Sequence, residues 1–549
     1  MDKLWLKHYP QGVPSKIDCN RYASLNELFS ESFKRFGPLI CYSNMGTDLS
    51  FQELEKRSRQ FAVYLQQLNL PKGARVAVMM PNLLQYPIAI LGILRAGLVV
   101  VNTNPLYTAD EITHQLNDAK VDVIVIWSQR LPILAQSLTR IPSLRYIIRT
   151  DIGDGFPWIK RCLVNLITTF KQPTQKTAQI HTISFLEALA QGDQHQLLPV
   201  ACNHDDMAFL QYTGGTTGLS KGAMLTHGNI IANILQASAW ISPQKLGPGD
   251  NILTALPLYH IFSLTANCLL FFHLGAQNVL ITDPRNIKAL LKQIHTLPPT
   301  AMTGVNTLFS ALLNHSKFQA TDFAHLKIAL SGGMALHETI AARWQQLVGH
   351  PIIEAYGLTE ASPAVSINPS DQPHRGSIGL PLPSTEVSIR NEQGEECPIG
   401  ETGELCIRGP QIMKGYWQNP QETASVFYPD GFLRTGDSAR VDEDGFIYLI
   451  DRLKDLIIVS GFNVYPNEVE QVIAQMDKVL EVGVIGVTSK SGNERIKACV
   501  VARDASLTSE DVIAHCRQHL TAYKIPKIVE FYAELPKTNV GKVLRRMLR

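Results

Sequence analysis

Over the first 450 residues, short β-branched runs alternate with amphipathic stretches. Residues 75–80 (RVAVMM) have the unbroken apolar character of a strand buried on both faces, and residues 98–102 repeat it. Between them, residues 83–96 predict a helix. Residues 109–119 predict another, and 121–127 (VDVIVIW) a further strand. This rhythm predicts βα units stacked around largely parallel sheets. Over residues 379–409 the pattern changes. Short strands separated by N-E-Q-G-E-E and P-I-G-E-T-G predict an antiparallel meander or a small barrel. Beyond 451–455, residues 466–476 and 509–520 predict helices, and 482–487 and 498–501 strands. The expected fold is a large N-terminal domain of stacked βα sheets with a barrel-like subdomain (1–451), then a small α+β domain (455–549).

The length of 549 residues supports this division, because a single core rarely grows past roughly 250–300 residues. A formal net charge of +2 argues against a dedicated nucleic-acid binder. Nine cysteines without a C-x-x-C pair argue against zinc or dithiol chemistry, and their scatter fits a reducing, cytoplasmic setting. The N-terminal residues Asp2, Lys3, Lys7 and His8 interrupt any apolar core of a signal peptide. Between Asp250 and Asp283 no charged residue occurs, which a hydropathy window would read as a membrane span. Pro257, His260, His273 and Gly275 break that run, and a buried strand–helix–strand unit accounts for it better.

The chemistry starts at residues 209–225, FLQYTGGTTGLSKGAML. An apolar strand runs through Tyr212 into Thr213, Gly214, Gly215, Thr216, Thr217 and Gly218. Leu219, Ser220 and Lys221 follow, and Gly222 and Ala223 open a second apolar strand. Glycines let backbone N–H groups approach an anion, threonines add hydroxyl donors, and lysine adds charge. The spacing is not that of a P-loop, whose lysine is followed by Ser or Thr at the start of a helix. A hairpin turn would need only two to five residues. The loop therefore predicts a phosphate grip.

This loop resembles the signature of the acyl-adenylate-forming superfamily of acyl-CoA ligases, luciferases and peptide-synthetase adenylation domains. EAYGLTE (354–360), RTGD (434–437), DRLKD (451–455) and PKTNVGKVLRR (536–546) follow in that family's order. The resemblance implies that Tyr356 and Gly357 meet adenine and that Thr359 contacts the α-phosphate. Glu360, with Thr213, would hold Mg2+. Asp437 and Arg452 would contact ribose, and Lys542 would bridge the attacking carboxylate and the α-phosphate. Lys454, within 452–454, falls at the family's hinge, which would make the small domain mobile. Gly461 would then face the site. His260, in LPLYHIFSLT, is by composition a core residue; the resemblance places it by the acyl carboxylate. TGVNTLF (303–309), with Gly304 and Val305, and SGGM (331–334), with Gly332 and Gly333, match segments lining an acyl tunnel.

No carboxylate lies between Asn251 and Thr282, so a substrate ammonium would have no partner there, which points to an otherwise uncharged acid. Through MMPNLLQYPIAILGILRAG (79–97), NPLYTADEITHQLND (104–118), ALPLYHIF (255–262) and VSGFNVYPNEVE (459–470), and over most of its length, the chain is similar to bacterial long-chain fatty-acid–CoA ligases. It departs from many of them in having Phe432 where Trp is common. The implied partners are a long-chain fatty acid, ATP, Mg2+ and coenzyme A, with homodimerisation compatible and no nucleic acid. Two other readings stay open: delivery of the acyl group to another acceptor, and a relative that binds nucleotide or lipid without turnover. Residues 156–171 (FPWIKRCLVNLITTFK) admit two readings as well. Trp158, Leu163, Ile167 and Phe170 form one stripe edged by Lys160, Arg161 and Lys171. It suits either peripheral contact with the inner membrane leaflet or packing on its own domain.

Overall fold

The computed structural model describes residues 3–171, 181–213, 220–371, 376–452, 455–459, 462–488, 494–538 and 541–548. The apolar runs of the first half form a seven-stranded sheet. Its centre is parallel: Val121–Trp127, Arg75–Met79, Val99–Asn102 and Met207–Tyr212 lie side by side in that order. The edge strand Gly222–Thr226 turns back antiparallel to Met207–Tyr212. Helix Gln85–Arg95 is buried along most of its length, which explains its lack of a polar face.

The uncharged run 250–283 is a buried unit of a second, nine-stranded sheet, as its composition predicts. Strands Asn251–Thr254 and Gln277–Leu280 pair in parallel, joined by the helical stretch 261–274. That stretch widens to a π-helix over Leu264–Leu269, the kind of local bulge that often marks a site. Strands Ala301–Gly304, Ile328–Gly332 and Ile352–Gly357 extend this sheet in parallel, and their carboxyl ends open onto the ligand cavity.

The predicted meander is a four-stranded antiparallel sheet in sequential order, Glu386–Arg390, Gly403–Arg408, Leu433–Val441 and Ile447–Arg452. Among the described residues its end strands do not pair, so it is an open meander rather than a closed barrel. It begins at residue 386, because Leu380–Pro381 joins the nine-stranded sheet instead. The C-terminal unit has its own apolar core, including Val469, Ile473, Val484, Ala498 and Val512. There Val479–Thr488 and Glu494–Ala502 are antiparallel, and Ile528–Phe531 adds a parallel strand.

Candidate active site

A cavity of about 1090 Å³ lies where the carboxyl ends of the nine-stranded sheet, the phosphate-loop strands, the meander and the C-terminal segment meet. Its two ends differ in chemistry. At one end Glu422 pairs with Lys221, whose ammonium lies over the Tyr416 ring that bonds Glu360, and Asp437 pairs with Arg452 close to Lys542. The other end is walled by Ala237, Ile241, Ile252, Ala301, Ile328 and Leu330. Ile328, Leu330 and Gly332 are alternate residues of one strand and so share a face. That face carries the apolar branch back about 13 Å from Gly332 toward the start of the strand.

The charged end is built from neighbouring strands. Asp437 and Arg452 face each other across the meander, and the Arg452 Nε lies 3.2 Å from Asp437 Oδ1. The Tyr356 hydroxyl donates to the other carboxylate oxygen at 2.6 Å. Lys542 enters from the small domain on a turn in which its N–H donates to Thr538 Oγ1 (3.1 Å) and Gly541 N–H to the Thr538 carbonyl (2.9 Å). Gly541 has φ +80°, and a Cβ there would lie 2.9 Å from Thr307 Oγ1. Both the turn and the close approach therefore require glycine. Burial, with Arg452 adding to it, pushes the Lys542 ammonium down to about 8. Arg545, three residues on, anchors this segment to Asp455 (3.0 Å) and Glu470 (2.9 Å).

Thr213, Ser220, Lys221, Gly222, Tyr356, Gly357, Thr359, Glu360, Asp437, Arg452 and Lys542 all reach the cavity wall, as the motifs imply. Tyr212 does too, with its hydroxyl donating to Asp118. Lys221 is engaged: its ammonium pairs with Glu422 and lies 5.4 Å from the Tyr416 ring centre. His260 lines the cavity and caps the helix after it, its Nδ1 accepting the Phe262 N–H at 3.3 Å. Burial pushes its imidazole down to about 4, so it is neutral near pH 7.

Three expected contacts are corrected. Gly304 does not open room for a ligand: a Cβ there would meet the Phe309 ring at 2.8 Å, and Thr303 and Met302 line the cavity instead. Val305 packs against Gly541 of the Lys542 turn rather than against the tunnel. Ala223 is fully buried, bridging in the strand ladder to Tyr416. Gly332 and Gly333 do line the cavity. Gly214, Gly215, Thr216, Thr217, Gly218, Leu219, Lys454 and Gly461 lie outside the described residues.

The motifs left out Tyr416, Trp417 and Glu422, all on the wall. Their only sequence signal is the aromatic and turn-rich run GYWQNPQET (415–423). All nine cysteines are free thiols. Among the described residues no helix is long and apolar enough to cross a membrane.

Fold and site together define a two-domain nucleotide-binding enzyme, with a cationic small-domain loop closing over an ionic pocket and an apolar branch behind it. The model of the AMP-binding enzyme family matches residues 29–417, and that of the AMP-binding enzyme C-terminal domain matches 468–542; the chain belongs to this family. It is 51% identical to the long-chain-fatty-acid–CoA ligase of Yersinia pestis over 553 residues, covering 100% of this chain and 98% of the relative. Among solved structures, ATP-bound MatB from Rhodopseudomonas palustris is 28% identical and superposes with a TM-score of 0.83 over 95% of this chain and 98% of that one. The apo form of MatB, at the same identity and coverage, superposes with a TM-score of 0.72.

Proposed function

We propose that this chain is a long-chain-fatty-acid–CoA ligase. The observation that carries the reading is the two-ended cavity, ionic where a nucleotide would sit and apolar for about 13 Å behind it. A fatty-acid carboxylate at the junction attacks the α-phosphorus of ATP. The bond to the β-phosphate oxygen breaks, giving acyl-AMP and pyrophosphate. The CoA thiolate then attacks the acyl carbonyl and AMP leaves.

Lys542 offsets the repulsion between two anions in the first step, and Asp437 with Arg452 suits the ribose hydroxyls. Thr359 and the Thr213–Lys221 loop suit the phosphates. His260 is neutral with Nδ1 accepting, so its one N–H is on Nε2 and suits a hydrogen bond to the carboxylate rather than proton transfer. The better superposition on ATP-bound than on apo MatB supports reading this arrangement as the adenylate-forming one. Rotation at 452–454 about Lys454 would withdraw Lys542 and bring the Gly461 loop in for thioester formation.

The donor set fits Mg2+. Among the described residues no cluster of three metal-binding side chains exists, but Glu360 offers a hard carboxylate on the cavity wall, which Thr213 also lines. One or two protein oxygens completed by phosphates and water is the usual magnesium arrangement. Bound there, the metal would neutralise charge on the departing pyrophosphate.

Helix Trp158–Lys171 supports a peripheral contact with the cytoplasmic leaflet. Trp158, Ile159, Leu163, Leu166 and Ile167 are each more than half exposed, and the helix carries no acidic residue. Lys160 is not a free edge charge: it is tied to the Met45 carbonyl and to Thr47 Oγ1. The side chain of Phe170 lies outside the described residues.

The deciding experiment supplies palmitate, ATP, Mg2+ and CoA and measures pyrophosphate and palmitoyl-CoA together. Pyrophosphate without thioester would favour another acceptor, and neither product with any fatty acid would favour a binding protein.

A further inference from the structure

Glu360 sits on a single short helical turn, Thr359–Ala361, on the cavity wall. A glutamate there has several rotatable bonds, and nothing in its own turn fixes the carboxylate. The restraint comes from a segment 53 or more residues later in the chain. Met413 N–H donates to the Glu360 carbonyl at 2.8 Å, and the Tyr416 hydroxyl donates to Glu360 Oε1 at 2.7 Å. Among the described residues that is the only side-chain hydrogen bond the Glu360 carboxylate receives.

The same segment is bound to the phosphate-loop strand. Lys414 N–H donates to the Met224 carbonyl (3.0 Å), Met224 N–H to the Gly415 carbonyl (2.9 Å) and Trp417 N–H to the Gly222 carbonyl (2.8 Å). Tyr416 is itself clamped. Its N–H donates to Thr423 Oγ1 at 2.9 Å, and a Cβ on Gly415 would lie 2.6 Å from Thr423 Cγ2, so the strap passes this point only with glycine. The residue is 9% exposed, and its ring carries the Lys221 ammonium 5.4 Å from its centre.

We infer that Tyr416 is a positioning residue for metal-bound ATP: its hydroxyl fixes one oxygen of Glu360 and leaves the other for the metal, in register with the strand Gly222–Thr226. This rests on the reading of Glu360 as the metal carboxylate. The physical reason is pre-organisation. A carboxylate already held in one rotamer loses less freedom when it ligates, and the outer hydrogen bond sets which oxygen is offered.

The test is ATP binding by titration calorimetry, without fatty acid, in the presence and absence of Mg2+. The variants are Tyr416→Phe and Glu360→Gln in the full chain. Tyr416→Phe keeps the ring beneath Lys221 and removes only the hydroxyl. The expected result is a loss of about tenfold in the Mg2+-dependent tightening of ATP, the scale of one hydrogen bond to a charged group. Metal-free ATP affinity should stay within twofold of the parent. Glu360→Gln should abolish the tightening. A Tyr416→Phe protein matching the parent while Glu360→Gln fails overturns the role of Tyr416 and leaves the Glu360 reading standing. Equal weakening with and without Mg2+ assigns Tyr416 a structural role only and also overturns it. Parental behaviour of both variants overturns the Glu360 reading and this inference with it.

Discussion

Lys542 offers the sharpest test of the mechanism, because the structure predicts both how much its charge contributes and the pH at which that charge is lost. Burial and Arg452 push its ammonium down to about 8. Relative to an ordinary lysine near 10.4, that is roughly 3 kcal/mol of strain on the charged form in the empty site. The sign follows from a cation with a lowered pKa. It is about 90% charged at pH 7 and about 90% neutral at pH 9 in the free enzyme. Two anionic substrates favour the charged form and raise the value again. The kcat/KM for ATP in pyrophosphate release should therefore be level below pH 7 and fall about tenfold per unit above pH 8, while the limb in kcat moves to higher pH. The charge acts at about 4 Å across a partly screened site, worth roughly 4 kcal/mol, so Lys542→Ala should lower adenylation about 10³-fold. Stopped-flow pyrophosphate release with palmitate measures both. Supplied palmitoyl-AMP should still be converted to thioester. Lys542→Arg, charged at every accessible pH, should abolish the descending limb. The reasoning is refuted if Lys542→Ala adenylates within fivefold of the parent or keeps the same limb.

Other expectations follow from separate parts of the molecule. Burial pushes Glu354 up to about 7, with only the Leu336 N–H (3.0 Å) opposing it. The folded state then holds a proton that the unfolded state has released between about pH 4.5 and 7, so stability falls as pH rises through that window. Glu354→Gln should raise the Tm by about 2 °C at pH 8 and by almost nothing at pH 4.5, as read by scanning calorimetry. Lys454→Pro should slow thioester formation from supplied acyl-AMP more than pyrophosphate release; equal loss of both in a folded protein would argue against a pivot there. Leu330→Trp, two residues up the tunnel face from Gly332, should raise the KM for palmitate at least tenfold with octanoate little changed, and an unshifted chain-length profile would misplace the tunnel. Leu163→Glu with Ile167→Glu should abolish flotation with anionic liposomes. Unchanged flotation would count against the membrane contact, and a change in sedimentation instead would make the helix a contact between copies.

Much of the fold was legible because burial on both faces leaves an unambiguous mark. VDVIVIW reads as a strand and is one, Val121–Trp127, to the residue. The charge-free run 250–283 reads as buried for the same reason. Element ends were less legible. The helix read from residue 83 begins at Gln85, because Leu83 and Leu84 are core residues whose apolar character says nothing about backbone hydrogen bonds. The strand read as 482–487 runs from Val479 to Thr488, since pairing with Glu494–Ala502 extends it through polar positions.

At the site, the ordered motifs and the family they resemble nominated Tyr356, Thr359, Glu360, Asp437, Arg452 and Lys542, since by local composition an Asp after Gly reads as a turn and a lysine in a basic tail as solvated surface. Direction was not in the chain. Gly304 and Gly332 each end a strand of the same sheet, yet Gly332 faces the cavity and Gly304 faces Phe309, a difference set by pleat and packing. The Trp158–Lys171 helix had two equal readings in sequence, and only the fold left its apolar side chains uncovered. The phosphate loop marks the same division. Its composition alone announces an anion. How the Glu360 carboxylate is held depends on the Lys414–Trp417 strap pairing with the strand Gly222–Thr226, a contact almost 200 residues apart in the chain that only the packed sheet brings about.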